Sequence, residues 1–385
     1  MAPGTWNQYD DQMPDIAYAA ARIVAPRVRS HFIEHGAGRR GDDVLVPGIE
    51  AIEQMIDAAF WTSLQREEGY VPRISLAYVP PDRTSHPFMF DQPIPLTARA
   101  LAKVAPAVER PGIHLGVSLI DGGLQVWGAA RHVPTLAMVL EVAAPGLLVI
   151  KHHRGGQRGK FVNVAVLEGG HVRVVDEHAL SLPDCPTLLS SLLGFDTRES
   201  AGDVNVLVQL AVSMRAHGRG GLLLIVPADE DEWRESIVQP VRYRLEPPFT
   251  ELAALMRADE DGRDPTWHEA VARAVDSIAG LTAVDGATIV TRDYDLLAFG
   301  AKVARRRGGT PVSEVMITEP IEGGEAVAGD PAQLGGTRHL AAALVVDELR
   351  GATALVASQD GRFTVVAFSP GEAMVHAHRV ETLLL

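Results

Sequence analysis

The chain has 385 residues, 46% of them apolar, and a formal net charge of −14. Such a length exceeds one typical domain, so two are expected, each with its own core. The acidic balance argues against nucleic acid as the main partner, because nonspecific nucleic-acid binding comes from basic surfaces. No run approaches the roughly eighteen apolar residues that span a bilayer. Met1–Asp15 is polar and carries no signal-peptide pattern. The single cysteine, Cys185, leaves no internal disulfide and reads as a buried free thiol. A cytoplasmic protein without membrane contact is the expectation.

In chain order, residues 16–35 show helical periodicity and residues 36–41, Gly-Ala-Gly-Arg-Arg-Gly, end it. A second amphipathic helix is expected over 47–65, with Ile49, Ile52, Met55, Ile56 and Phe60 on one stripe. Residues 70–78 alternate like a strand, and 96–108 read as a short helix. Two apolar runs, 113–119 and 124–130, flank Asp121-Gly122-Gly123 and predict a hairpin. Further strands follow over 140–153, around Pro145-Gly146, and over 161–167 and 171–175, around Glu168-Gly169-Gly170. The first half therefore reads as an α+β domain of helices followed by antiparallel hairpins. Lys151 to Lys160 concentrates positive charge on glycine-rich backbone, which fits either a solvated hairpin tip or an anion-binding loop.

Residues 193–202 read as a linker, placing the boundary near Gly202 and the domains at 1–202 and 203–385. Asp203 suits the N-cap of an amphipathic helix over 205–217. After Gly218-Arg219-Gly220-Gly221 comes an apolar strand, 222–226. An edge strand over 238–245 should stop at Pro247-Pro248, with helices over 249–258 and 267–281. Leu281 to Val290 reads as a buried strand and its approach, interrupted by Asp285-Gly286-Ala287. An acidic group in such a run is costly to bury unless it is paired or holds a cation. Strands over 296–303 and 312–317 follow. Gly335-Gly336-Thr337-Arg338-His339 then opens an Ala-rich apolar run. This reads as a loop delivering a hydroxyl, a guanidinium and an imidazole at a helix N-terminus, a place that favours phosphate. A closing hairpin is expected over 354–361 and 363–366, and a last strand over 373–384.

The Asp285-Gly286-Ala287 tripeptide and the Gly336-Thr337-Arg338-His339 segment resemble the DGA and GTRHR signatures of the diadenylate cyclase (DAC) domain family. The flanking helix, glycine turn and strand are similar to the opening of those domains, so the resemblance covers 203–385. It implies a fold of overall α+β class, with a DAC-like α/β domain of mixed sheet flanked by helices. It also implies condensation of two ATP into cyclic di-AMP and pyrophosphate, dependent on Mg²⁺ or Mn²⁺. Asp285 would hold the metal, with Asp285, Arg338 and His339 catalytic. Gly286, Ala287, Gly336, Thr337, Arg338, His339 and Ser358 would bind ATP. A homodimer or higher homo-oligomer with facing cyclase domains is implied, as is an upstream regulatory module, for which the first half resembles by position the probable sensor (DACNV-like) domains.

Two departures stand out. The family's second arginine is Leu340 here, and its phosphate-side serine falls on Ala357, with Ser358 one step away. A one-residue step in a strand turns a side chain to the other face, so Ser358 substitutes only across a bulge. The alternative reading is therefore a nucleotide-binding sensor that keeps the pocket without the chemistry. Arg305-Arg306-Arg307 offers either a replacement charge or a solvated turn. His376 and His378 share one face at strand spacing, but two histidines without a third ligand pattern read as structural. Neither GxGxxG after a strand, nor a P-loop, nor GxSxG occurs.

Overall fold

The computed structural model describes residues 17–36, 45–67, 69–110, 112–153, 161–176, 205–228, 231–258, 263, 265–306 and 308–385. It divides into two compact units, Met1–Val174 and Val175–Leu385. The boundary expected near Gly202, its linker, Asp203, Cys185 and residues 154–160 of the basic run lie outside the described residues. Both units are α+β with mixed sheets.

In the first unit, α1 (Ala19–Gly36), α2 (Ile49–Ser63) and α3 (Ala98–Val108) pack on one face of an eight-stranded sheet. The stripe expected on α2 is real: Ile52, Met55 and Ile56 are fully buried, while Ile49 sits at the exposed first position. Thr97 caps α3, its hydroxyl accepting from the Ala100 N–H at 3.4 Å. The strands are β1 (Ser75–Tyr78), β2 (Phe88–Pro95), β3 (His114–Ile120), β4 (Gly123–Ala130), β5 (Met138–Ala144), β6 (Leu147–His153), β7 (Phe161–Glu168) and β8 (His171–Val174). Their order is β2-β4-β3-β1-β5-β6-β7-β8. The expected hairpins all form, but β1 pairs parallel with β3, so the sheet is mixed rather than wholly antiparallel. β1 is also shorter than the alternation of 70–78 implied. On the second sheet face the Trp127 indole donates to the Val79 carbonyl at 2.7 Å, and Gly116 leaves the ring its space.

The second unit has a nine-stranded sheet in the order β10-β12-β11-β9-β15-β16-β17-β13-β14. Its strands are β9 (Gly221–Val226), β10 (Tyr243–Phe249), β11 (Ala287–Thr291), β12 (Leu296–Ala301), β13 (Val315–Thr318), β14 (Val327–Gly329), β15 (Thr353–Ala357), β16 (Phe363–Ser369) and β17 (Met374–Arg379). β9–β11 and β13–β17 are parallel pairs. One face buries α4 (Val206–Ala216), α5 (Glu251–Met256) and α6 (Pro265–Leu281); the other buries α7 (Thr337–Glu348). The observed cap of α4 is Asn205, which accepts from the Val208 N–H at 3.1 Å.

Two expectations in this unit are corrected. β10 does not stop before Pro247-Pro248 but runs through both. It lies at the sheet edge, where a proline costs no ladder bond on its open side. The apolar run 281–290 is not one buried approach. Leu281 ends α6, β11 begins at Ala287, and Asp285 lies exposed in the turn between them. The cost of burying a carboxylate therefore does not bear on Asp285.

Candidate functional site

The site forms where β9 and β11 begin, β15 ends and α7 starts. Gly336 is the residue before α7 and offers no side-chain cap, while its carbonyl accepts from the His339 N–H at 3.0 Å. Thr337 is exposed there and Arg338 half-buried. Two adjoining clefts meet at these residues. One, of about 250 Å³, is lined by Asp285, Gly286, Ala287, Leu222, Lys302, Thr337 and Arg338, among others. The second, of about 390 Å³, is lined by Gly335, Gly336, Thr337, Arg338, His339, Ala357, Ser358, Gln359, Asp360 and Arg362, among others. The acidic turn and the Thr-Arg-His corner, some fifty residues apart in sequence, thus line adjoining clefts that share Thr337 and Arg338.

Arg338 is the hinge of both clefts. Its Nε is buried and has no hydrogen-bond partner. A methyl group at Gly220 would sit 2.8 Å from its Nη1, so the glycine turn before β9 makes room for the guanidinium. The next glycine, Gly221, makes room for the buried Thr282, whose hydroxyl lies 3.1 Å from His217 Nε2. Gly286 has φ +111°, and a Cβ there would lie 2.5 Å from the Gly300 carbonyl carbon. The close approach that requires a glycine at 286 is thus that of β12.

His339 differs in kind from its neighbours. It is 2% exposed, and its Nε2 lies 3.3 Å from Thr364 Oγ1 on β16. Burial, then the Arg379 charge, pushes its pKa down, so the ring is neutral at physiological pH. It packs the first turn of α7 onto the sheet while edging the larger cleft.

The departures can now be placed. Leu340 is 42% exposed and lines neither cleft. The β15–β16 and β9–β15 ladders run through Ala357 without a register shift, so no bulge is present. Ser358 instead lies just past the strand end, with its N–H bonded to the Arg362 carbonyl at 2.9 Å. Outside the ladder, the alternation of faces no longer applies to it, and Ala357 and Ser358 both line the larger cleft. Arg306 supplies no replacement charge. Its Nε donates to Ser236 Oγ at 3.1 Å, and its backbone N–H donates to Glu348 at 2.9 Å. The cations that do line the two clefts besides Arg338 are Lys302 and Arg362, which no motif announces.

His376 and His378 are buried and engaged, with Glu372 at 3.0 Å and Thr318 Oγ1 at 2.7 Å respectively. Among the described residues no group of three or more His, Cys, Asp or Glu is arranged to hold a metal. Asp285 therefore stands as a single carboxylate. A hard divalent cation shared with phosphate oxygens fits such a donor set; a preformed protein cage does not. In the first unit, Lys151 is taken up by Glu141 at 2.7 Å. No helix among the described residues is long and apolar enough to cross a membrane.

Residues 42–131 match the family model described as probable sensor domain DACNV. No curated protein matches the chain. The matched segment runs from the approach to α2 through β4, so the likeness to a probable sensor domain falls within the first unit.

Proposed function

We propose that the second unit is a diadenylate cyclase, joining two ATP into cyclic di-AMP with release of two pyrophosphates, under the control of the sensor unit before it. The observation that carries this reading is that Asp285, Thr337 and Arg338 line one cleft. Arg338 offers an unpartnered N–H and a planar fork suited to bidentate phosphate binding. The Thr337 hydroxyl and the backbone N–H groups of Thr337 and Arg338 at the α7 N-terminus complete an anion site. The exposed Asp285 carboxylate is available to a ribose hydroxyl or a cation. Mg²⁺ or Mn²⁺, held by Asp285 together with nucleotide phosphates, would neutralise the leaving pyrophosphate. Neutral His339 keeps the corner seated on β16. Each 3′-oxygen attacks the α-phosphorus of the other ATP, so two such sites must face each other. One chain supplies one, and the working form is at least a homodimer.

The second reading, a nucleotide sensor without turnover, is favoured by Leu340, which brings no charge to the cleft, and by Ala357, which has no hydroxyl. Incubating the full chain with ATP and Mn²⁺ and separating the products by chromatography decides between them. The cyclase reading expects cyclic di-AMP from the wild type and at least a hundredfold less from Asp285→Asn, about 2.7 kcal/mol in barrier. ATP binding without product selects the sensor. Neither binding nor product sinks both.

A further inference from the structure

The larger cleft is lined by a second guanidinium, which comes from the β15–β16 turn rather than from α7. Arg362 leaves the turn that joins β15 to β16 and lines the cleft together with Thr337, Arg338 and Ser358. Its only ion-pair partner among the described residues is Asp360, with Nε 3.5 Å from the carboxylate. Both side chains of that pair are about 60% exposed (60% and 59%). Asp360 also accepts from the Arg362 backbone N–H at 3.3 Å, but the side-chain pair, one long contact between solvated groups, contributes little and is readily exchanged for a better anion. Arg338 is different: its Nε is buried and waits for an acceptor. Leu340, on α7 itself, reaches neither cleft, and Lys302 lines only the smaller one.

We propose that Arg362 reads the length of the phosphate chain. Arg338 and the α7 N-terminus bind the first phosphates, and Arg362 leaves Asp360 to clamp the outer ones. Asp360 acts as its resting counter-ion. This rests on the nucleotide-binding reading of the cleft and adds to it selection for triphosphates over monophosphates. The physical basis is charge count. A monophosphate is satisfied by Arg338 and the helix terminus. A triphosphate carries further anionic oxygens that need a second fork, and guanidinium supplies it bidentately. Asp360 sets a threshold, because a ligand must outbid one carboxylate before Arg362 engages.

The test is calorimetric titration of the full chain with ATP, ADP and AMP, for the wild type, Arg362→Ala, Arg362→Lys and Asp360→Asn. For Arg362→Ala, ATP affinity should fall about tenfold and AMP affinity less than about twofold, the loss of one charge-assisted contact. Arg362→Lys should recover part of the ATP affinity, since it keeps the charge and loses the fork. Asp360→Asn should tighten ATP about two- to threefold by removing the competitor. The proposal is overturned if the wild type binds ATP and Arg362→Ala leaves the ATP-to-AMP ratio unchanged, or if Asp360→Asn weakens ATP. A wild type that binds no nucleotide overturns the underlying reading as well, and that result is distinct from the others.

Discussion

The two units share a seven-strand core plan and differ most by one insertion. In each, a central strand (β1 or β9) has a parallel neighbour on one side and an antiparallel neighbour on the other. The parallel neighbour returns as a hairpin, β3–β4 or β11–β12, and a proline-containing strand, β2 or β10, pairs outside it with a register shift. On the other side, three strands follow as a meander, β5–β6–β7 or β15–β16–β17. The units part between the hairpin and the meander. Residues 131–137 alone join β4 to β5, whereas residues 302–352, carrying β13, β14 and α7, join β12 to β15. Every element of the Thr337–His339 corner belongs to that insertion.

The corresponding sheet end of the first unit is filled by groups that satisfy one another. Ser75 Oγ lies 2.8 Å from His114 Nδ1, and Lys151 pairs with Glu141. At the second unit's end stand glycines and an arginine with an unpaired N–H. The same frame thus yields paired polar groups in one unit and an open cleft with an unpartnered arginine N–H in the other. The difference lies in the side chains at the strand ends and in whether α7 is present.

Three perturbations would test this contrast, the largest first. Gly286→Val places a β-branched side chain at φ +111° against the β12 backbone. It should destabilise the second unit by about 3 kcal/mol or more. Hydrogen exchange should then quicken in β11 and β12 and remain unchanged in β3 and β4; equal loss in both units would refute their independence.

Acid should act on both units through buried neutral histidines. Burial pushes His114 down to about 4 in the first unit and His378 down to about 3 in the second. The unfolded chain, with histidine near 6.5, binds the proton that the native state refuses, so this stability is present above about pH 6.5 and is lost as pH falls toward those lower values. Urea midpoints should fall between pH 7 and pH 5, by up to about 2 kcal/mol per histidine. His114→Asn should flatten the profile of the first unit alone.

The smallest expected change is at the helix caps. Asn205→Ala and Thr97→Ala should each cost about 1 kcal/mol, confined to α4 and α3 respectively, as read by local exchange protection. Loss of protection spreading across the whole chain would show one cooperative block instead of two.

Much of this frame was legible in the sequence, for identifiable reasons. The α2 stripe and the Asp121-Gly122 hairpin are local, and period and turn chemistry declare them. β2 was not seen, because Pro93 and Pro95 argue against a strand, and only its place at the edge admits them. The parallel pairing of β1 with β3 joins residues far apart in sequence, and nothing local encodes it. At the candidate site, the two motifs named Asp285, Thr337, Arg338 and His339; the fold brings the first three to one cleft and His339 to the edge of the next. Arg362 and Lys302 went unnoticed because a lone cation in a loop has no pattern. The reasons for Gly220 and Gly286 also lay in contacts across the fold: one clears space for Arg338, the other for β12.

The far end of α7 is anchored as firmly as the near one. Glu348, 8% exposed, accepts from Ser236 Oγ at 2.7 Å and from the Arg306 backbone N–H at 2.9 Å, so the C-terminus of the helix is bolted to two other segments. An acidic side chain opposes the dipole there, and the Arg306 guanidinium offsets it. Buried His339 seats the other end of the helix on β16, so Thr337 and Arg338 are presented from a helix fixed at both ends.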